Sequence, residues 1–264
     1  MTGDADYARV LYRNNDRSTR GLPYELTETD PESFQTGVQR AIDKHGEKLN
    51  TGSINFEQWH LAILRTGKGD SESALWMSYD TGRRHGHMNG LNIGLFAHGR
   101  DLLPDFGYPP VHLGGWSGPR FDWYKATAAH NTVLVDGRNQ EQPAEGATKL
   151  WGSGQVIQTI KVSAPACYGI ERYDRMLVLV HVSPSDFYVL DVFDVEGGAD
   201  HAWFLRGPES SMSTNGLTLS DADNFGHDTL MRNVVCDAEL ETGLGRILAH
   251  GWEPGDHDSL HRAE

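Results

Sequence analysis

The sequence predicts an all-β protein, an antiparallel β-sandwich preceded by a short, partly helical segment. Three observations lead there. From Ile54 onward the chain is cut into short runs rich in β-branched and aromatic residues, each bounded by Gly, Pro, Asp, Asn or Ser. Its 264 residues include 30 Gly and 11 Pro, a supply of turns suited to many strands. Neither a Gly-rich phosphate loop nor a regular helix–strand alternation is present, so dinucleotide-binding and P-loop folds are disfavoured.

Residues 1–50 are polar and differ in pattern from the rest of the chain. One helix is expected over residues 31–49, with Asp30 as N-cap and Pro31 at the first helical position. Val38 and Ile42 give that helix an apolar face too thin to stand alone. The strand-like runs come in order at 54–67, 73–82, 91–99, 130–137, 155–163, 175–183, 187–198 and 200–207. The pair 175–183 and 187–198 reads as a hairpin closed by Ser183-Pro184-Ser185-Asp186, residues with turn chemistry. Beyond Ser210 the pattern weakens, residues 230–243 being the clear strand candidate, and the C-terminus is expected to stop short of a finished domain.

Composition excludes several function classes. With 37 acidic and 23 basic residues the net charge is −14, which argues against a nucleic-acid partner held through phosphates. No apolar run approaches the roughly 20 residues of a transmembrane helix, and the opening MTGDADYARV lacks the basic and apolar regions of a signal peptide. Two cysteines, Cys167 and Cys236, cannot build a disulfide framework or a Cys-rich zinc site.

Histidine, at 13 residues, is the informative count. His85 and His87 flank a single glycine in GRRHGHMNG; on a strand, residues two apart share a face and could enter one site. Asp105 lies in the turn PDFGYP, and His130 immediately precedes the run NTVLVDG. Two imidazoles and a carboxylate from separate elements are a normal zinc set with a fourth position open. The same residues read equally as hydrogen-bonded or surface histidines between strands. Two familiar patterns for such a His pair fail. Asn89 and Gly90 stand where a metallo-β-lactamase needs Asp and His, and Leu91 and Asn92 where a cupin needs Glu. The segment HDSLH at 257–261 has Asp258 where a zinc protease has Glu, and no helical pattern around it. DADNFGHD at 221–228 fails as a calcium loop because Phe225 and Arg232 occupy ligand positions.

The ordered blocks GRRHGHMNGLNIGLFAHGRDLLPDFGYP, WYKATAAHNTVLVDGRNQ and YDRMLVLV with DFYVLDVFDVEGGADHAWFLRG resemble the β-sandwich part of the heparinase II/III-like family of polysaccharide lyases. The resemblance runs from about Gly52 to about Pro208. It implies an α/α toroid followed by antiparallel sheets that form part of a larger supersandwich. Residues 1–50 would then be the end of that toroid, the rest of which is absent here, and 51–264 the sandwich domain, truncated at its C-terminus. It implies β-elimination on acidic, uronic-acid-containing polysaccharides, heparan-like or alginate-like, and a periplasmic, cell-envelope or secreted location. By motif, His87, Asp105 and His130 resemble the family's zinc ligands, and His85 the histidine facing the substrate. The chain departs from the family at Asn89, where Asp is frequent, and at Arg206, where the block after the Gly-Gly turn often ends in His.

In that chemistry His85 would neutralise the uronate carboxylate or move a proton. Arg83 and Arg84 would draw a polyanion, or stand as solvated surface charges. Trp123, like Trp116, could stack on a sugar ring, with burial in the core as the alternative. Tyr79, Tyr108 and Tyr124 read as packing residues. The competing function is a zinc-stabilised β-domain that binds carbohydrate or packs on a partner without chemistry; a metal-free structural β-domain is a third.

Overall fold

The computed structural model describes residues 5–23, 29–49, 51–68, 71–82, 86–108, 120–183 and 185–207. The chain divides into two compact units, Met1–Gly52 and Ser53–Glu264.

In the first unit two helices form where one was expected. Helix α1 spans Ala5–Asn14 and α2 spans Pro31–His45. Asp30 caps α2, its side chain accepting from the Ser33 N–H at 3.0 Å. The helix ends at Gly46, whose N–H donates to the Ile42 carbonyl. Val38 and Ile42 bury against Ala8 of α1 and Leu22, so the thin apolar face finds its partner within this unit. Helix α1 was not expected, although its inward positions, Ala8, Leu11 and Tyr12, fall at helical spacing.

The second unit is an antiparallel β-sandwich. Its first sheet has strands β1 (Ile54–Phe56), β2 (Leu61–Thr66), β3 (Ser73–Ser78), β4 (Asn92–Ala97) and β5 (Arg100–Asp101), in that spatial order. A single run was expected over 54–67; instead a 3₁₀ turn at Glu57–Trp59 folds it into the β1–β2 hairpin. Short helix α3 (Arg120–Lys125) comes next. Strand β6 (Val133–Val135) pairs with β11 (His201–Trp203). The second sheet has β7 (Ala147–Ser153), β8 (Ile157–Ser163), β9 (Arg172–His181) and β10 (Phe187–Glu196), each paired with the next. The β9–β10 hairpin forms as its turn chemistry predicts, in register from Arg172↔Glu196 to His181↔Phe187. Strand β7 was not expected: its outward Lys149, its glycine and a bulge after Thr148 break the alternation that marks a strand.

Alternation decides what lies between the sheets. In β2 and β3 the pairs Ala62↔Met77 and Leu64↔Leu75 share one face, and all four are buried. In β8 and β9 the pair Ile160↔Leu177 does the same, with Val162 and Leu179 beside it. These two faces join in one apolar cluster completed by Val133, Val135, Cys167 and Tyr173. On the other face of the first sheet Gly94 of β4 makes room for its cross-strand neighbour Trp76, since a Cβ would stand 2.2 Å from that indole.

Two inward positions, Arg175 of β9 and Asp191 of β10, are charged. Arg175 is fully buried and forks onto Asp191 of β10, Nε to Oδ1 at 2.9 Å and Nη2 to Oδ2 at 2.6 Å. Its Nη1 donates to the carbonyls of Leu91 and Asn131, at 2.6 and 2.5 Å. Removing one partner of a buried pair leaves the other's charge uncompensated. Arg175→Met is therefore expected to cost about 3–5 kcal/mol in urea unfolding. Arg175→Met with Asp191→Leu should recover much of that loss; a single substitution costing under about 1 kcal/mol would show that the pair does not hold the sandwich.

Candidate metal centre

Three loops converge on one point. His87 lies in the irregular stretch between β3 and β4, Asp105 in the loop after β5, and His130 at the end of the 3₁₀ turn Thr127–Ala129. His87 is thus not on a strand as the His-Gly-His spacing suggested; Gly86 precedes it and Asn89 and Gly90 follow it in a stretch outside the sheet. One ligand atom from each of His87, Asp105 and His130 lies within 4.8 Å of the other two. His87 Nδ1 is 3.1 Å from His130 Nε2, and His130 Nε2 is 3.6 Å from Asp105 Oδ2.

Two of the three candidate ligands, His130 and Asp105, are aimed by a second group. His130 Nδ1 meets the Ala126 carbonyl at 2.9 Å, which fixes the proton there and turns the Nε2 lone pair toward the cluster. Asp105 accepts from the Gly107 N–H through Oδ1 at 2.8 Å and from Asn92 Nδ2 through Oδ2 at 2.9 Å. Asn92 Oδ1 accepts the Asn131 N–H at 2.8 Å, so the loops bearing Asp105 and His130 are spliced through one amide. The His87 stretch is held at Met88, whose N–H donates to the Lys125 carbonyl, and at Gly90, gripped by Gln140 on both its N–H and its C=O. A Cβ at Gly90 would stand 2.7 Å from Cys167 Sγ, so only glycine lets this backbone pass.

Burial sets the charge state. It pushes the His87 imidazole below its ordinary value, and pushes His130 down to about 4, against the opposing pull of Asp105. Both rings are therefore neutral near pH 7, the form that binds a metal. Four-coordinate zinc with ligand distances of about 2.0–2.1 Å sets its ligand atoms roughly 3.3 Å apart. The observed 3.1 and 3.6 Å bracket that spacing. His87 offers Nδ1 to the cluster, while its Nε2 is buried with no hydrogen-bond partner. The donor set fits a zinc-type ion.

The other expected site residues fare differently. Arg83, Arg84 and His85 lie outside the described residues, as do Trp116, Cys236 and the segments at 221–228, 230–243 and 257–261. Trp123 is fully buried, its indole stacked on Phe106 at 6.0 Å with the Arg206 guanidinium 5.3 Å over the ring. A ring with no exposed face cannot stack on a sugar, so its expected substrate role gives way to packing. Tyr79 and Tyr124 are buried, while half-buried Tyr108 meets the His87 ring edge-on at 5.0 Å. Arg206 joins the support of the His130 loop, its N–H donating to Asn131 Oδ1 at 2.5 Å and its Nε to the Ala128 carbonyl at 3.1 Å.

Residues 48–217 match the family described as heparinase II/III-like, C-terminal. The chain belongs to the heparinase II/III-like family. An exo-oligoalginate lyase of Saccharophagus degradans is 27% identical over 154 residues, covering 53% of this chain and 21% of that protein. Among solved structures, a heparinase III gene product is similar with a TM-score of 0.52 and 16% identity, over 80% of this chain and 30% of that one. A heparan sulfate lyase mutant from Pedobacter heparinus is similar at a TM-score of 0.51 and 18% identity, over 77% and 30%. At these identities the two structures show the shared fold. This heparinase II/III-like chain spans between a fifth and a third of the length of those relatives.

What sequence reasoning missed is the support: Asn92, Asn131, Gln140 and Arg175. A usable signal existed for Arg175 and Asp191. Each falls on the inward parity of an otherwise apolar strand, and charges there need partners.

In the metal-free protein the neutral histidines predict a pH dependence. Their folded values lie below the unfolded value of 6.5, so the unfolded chain binds more protons in between. Stability is full above about pH 6.5 and falls as pH drops toward about 4, where buried His130 takes its proton. Thermal melting in chelator across this window should show the decline, and His130→Asn should flatten it. An unchanged slope in the variant would place the linkage elsewhere.

Proposed function

We propose that this chain is the β-sandwich part of a lyase that cleaves uronic-acid-containing polysaccharides by β-elimination, with zinc held by His87, Asp105 and His130. The observation that supports it most is the aimed His–Asp–His cluster in a chain of this family. The named relatives, an oligoalginate lyase and a heparan sulfate lyase, support a uronan as substrate.

The reaction sets the demands. The C5 proton of a uronate is weakly acidic while its carboxylate is ionised, so charge must be neutralised as the enolate-like state develops. A base must reach C5 and an acid must protonate the departing 4-O oxygen. In this reading Arg83 and Arg84 attract the polyanion, and His85 neutralises the carboxylate or moves the proton. His85 stands two residues before His87 in the sequence. Zinc, when bound, supplies positive charge and ties the three ligand loops together. His87, Asp105 and His130 hold those loops, and Asn92 keeps Asp105 oriented. The base belongs to the family's α/α domain in this proposal.

The purified chain should carry about one zinc by elemental analysis. His130→Ala should lower both zinc content and melting temperature, whereas His85→Ala should keep the zinc. Activity is read from the ultraviolet absorbance of the 4,5-unsaturated product. The 264-residue chain by itself should be slower by about a hundredfold to ten-thousandfold than a form joined to the helical domain, the usual worth of a positioned base. His85→Ala in the joined form should reduce turnover while zinc stays bound. Full activity from the shorter chain would move the base to this unit, with Tyr108 beside His87 the first residue to test. Inactivity of the joined form on every uronan would favour a zinc-stabilised carbohydrate-binding domain.

A further inference from the structure

The β1–β2 hairpin carries an exposure that the sandwich does not explain. Trp59, at the end of the 3₁₀ turn, is 79% exposed, and Phe56 beside it is 42% exposed. Trp151 of β7 stands across from them, and with Asn55, Glu57 and Gln58 these residues line an open cleft of about 520 Å³. Cleft volumes of this order hold small ligands.

The turn that presents Trp59 is fixed from several sides. His60, a non-glycine, sits in the left-handed region at φ 48°, and its N–H donates to the Glu57 carbonyl at 3.2 Å. Its carbonyl accepts the Tyr79 N–H at 2.8 Å, and its ring packs edge-on against Tyr79 at 5.3 Å. The Tyr79 hydroxyl donates to Asn55 Oδ1 at 2.8 Å, and Asn55 Nδ2 donates to Thr148 of β7 at 3.0 Å. An uncommon backbone conformation is thus held by strands of both sheets, and its result is an indole in water. Backbone strain retained around an exposed aromatic points toward recognition.

We infer that this cleft is a saccharide subsite separate from the His87–Asp105–His130 cluster, and that it takes a neutral pyranose unit. Aromatic faces stack on the C–H face of a sugar ring, while amides and a carboxylate bond its hydroxyls. The carboxylate of Glu57 chooses the unit: it accepts from hydroxyl or amide N–H groups and repels a uronate at the same place. The favoured substrate is then a chain in which uronate alternates with a neutral amino sugar, and a continuous polyuronate is disfavoured. This assignment rests on the polysaccharide reading above and deepens it.

The test uses the purified chain in chelator, so that binding is read without metal or turnover. Tryptophan fluorescence and ligand-observed NMR would follow titration with an N-acetylglucosamine tetramer, an oligosaccharide alternating glucuronate with N-acetylglucosamine, and an oligoalginate of equal length. The first two are expected to bind, and Trp59→Ala to weaken both at least tenfold with an unchanged melting temperature. Trp59→Phe should retain part of the affinity. Oligoalginate should bind poorly to the native chain and better to Glu57→Gln. Binding indifferent to Trp59→Ala, or no binding by any of the three, overturns the subsite. So does a self-associating chain that Trp59→Ala turns monomeric, since the platform would then be an interface between copies. A lyase reading that fails alone would show instead as absent zinc or absent turnover with Trp59-dependent binding intact.

Discussion

The buried guanidinium of Arg175 is the constraint on which the rest of this sandwich depends. Taking that charge out of water is costly, and it is offset only because every face of the group is used. Asp191 receives the fork from the neighbouring strand, and the carbonyls of Leu91 and Asn131 receive the remaining donor. Those two carbonyls belong to chain segments that adjoin the His87–Asp105–His130 cluster: Leu91 precedes Asn92, and Asn131 comes directly after His130. The register of β9 against β10 is thereby coupled to the position of loops from other sheets. Leu91 itself is a bulky residue at φ 59°, a conformation it would not keep without such a hold.

A chain of amides carries this constraint outward. Asn131 reaches the Ile93 carbonyl at 2.9 Å and receives the Arg206 N–H, while Asn92 joins Asn131 to Asp105. Gln140 clamps Gly90 and also donates to the Tyr173 hydroxyl at 3.0 Å, which returns the network to the core of the second sheet. A buried polar network of this kind stabilises when every member is satisfied and destabilises when one is not. Its open point is where His87 Nδ1, His130 Nε2 and Asp105 Oδ2 converge, two neutral imidazoles and a carboxylate. An ion held there would complete the network and add its binding free energy to folding.

The fold was legible where local chemistry and burial agree. The β9–β10 hairpin shows an alternating pattern with turn residues at its bend, and both survive in the structure. Strand β7 and the 3₁₀ turn in the β1–β2 hairpin were hidden, because a bulge and Gly152 interrupt the period of β7 and a left-handed His60 interrupts that of the hairpin. The cluster residues were legible as ligand types at separate positions, and resemblance grouped them. Trp123 was misread because an indole's appetite for stacking is the same against Phe106 as against a sugar; only burial separates the two.

By itself, then, the sequence determined the class of fold, the change of pattern near residue 50 and the family, and it singled out three candidate ligands. These come from period, turn chemistry and motif order, all of which are local or ordered along the chain. Only the tertiary structure decided that His87 comes from a loop rather than a strand, that Asn92 and Asn131 aim the ligands, and that Arg175 holds them from the far sheet. It also decided that Trp123 is core while Trp59 stands in solvent. The physical reason is common to all four. Each depends on which distant residue supplies a hydrogen bond or covers a ring, and partners separated by 13 to 84 positions leave no periodic trace in the sequence.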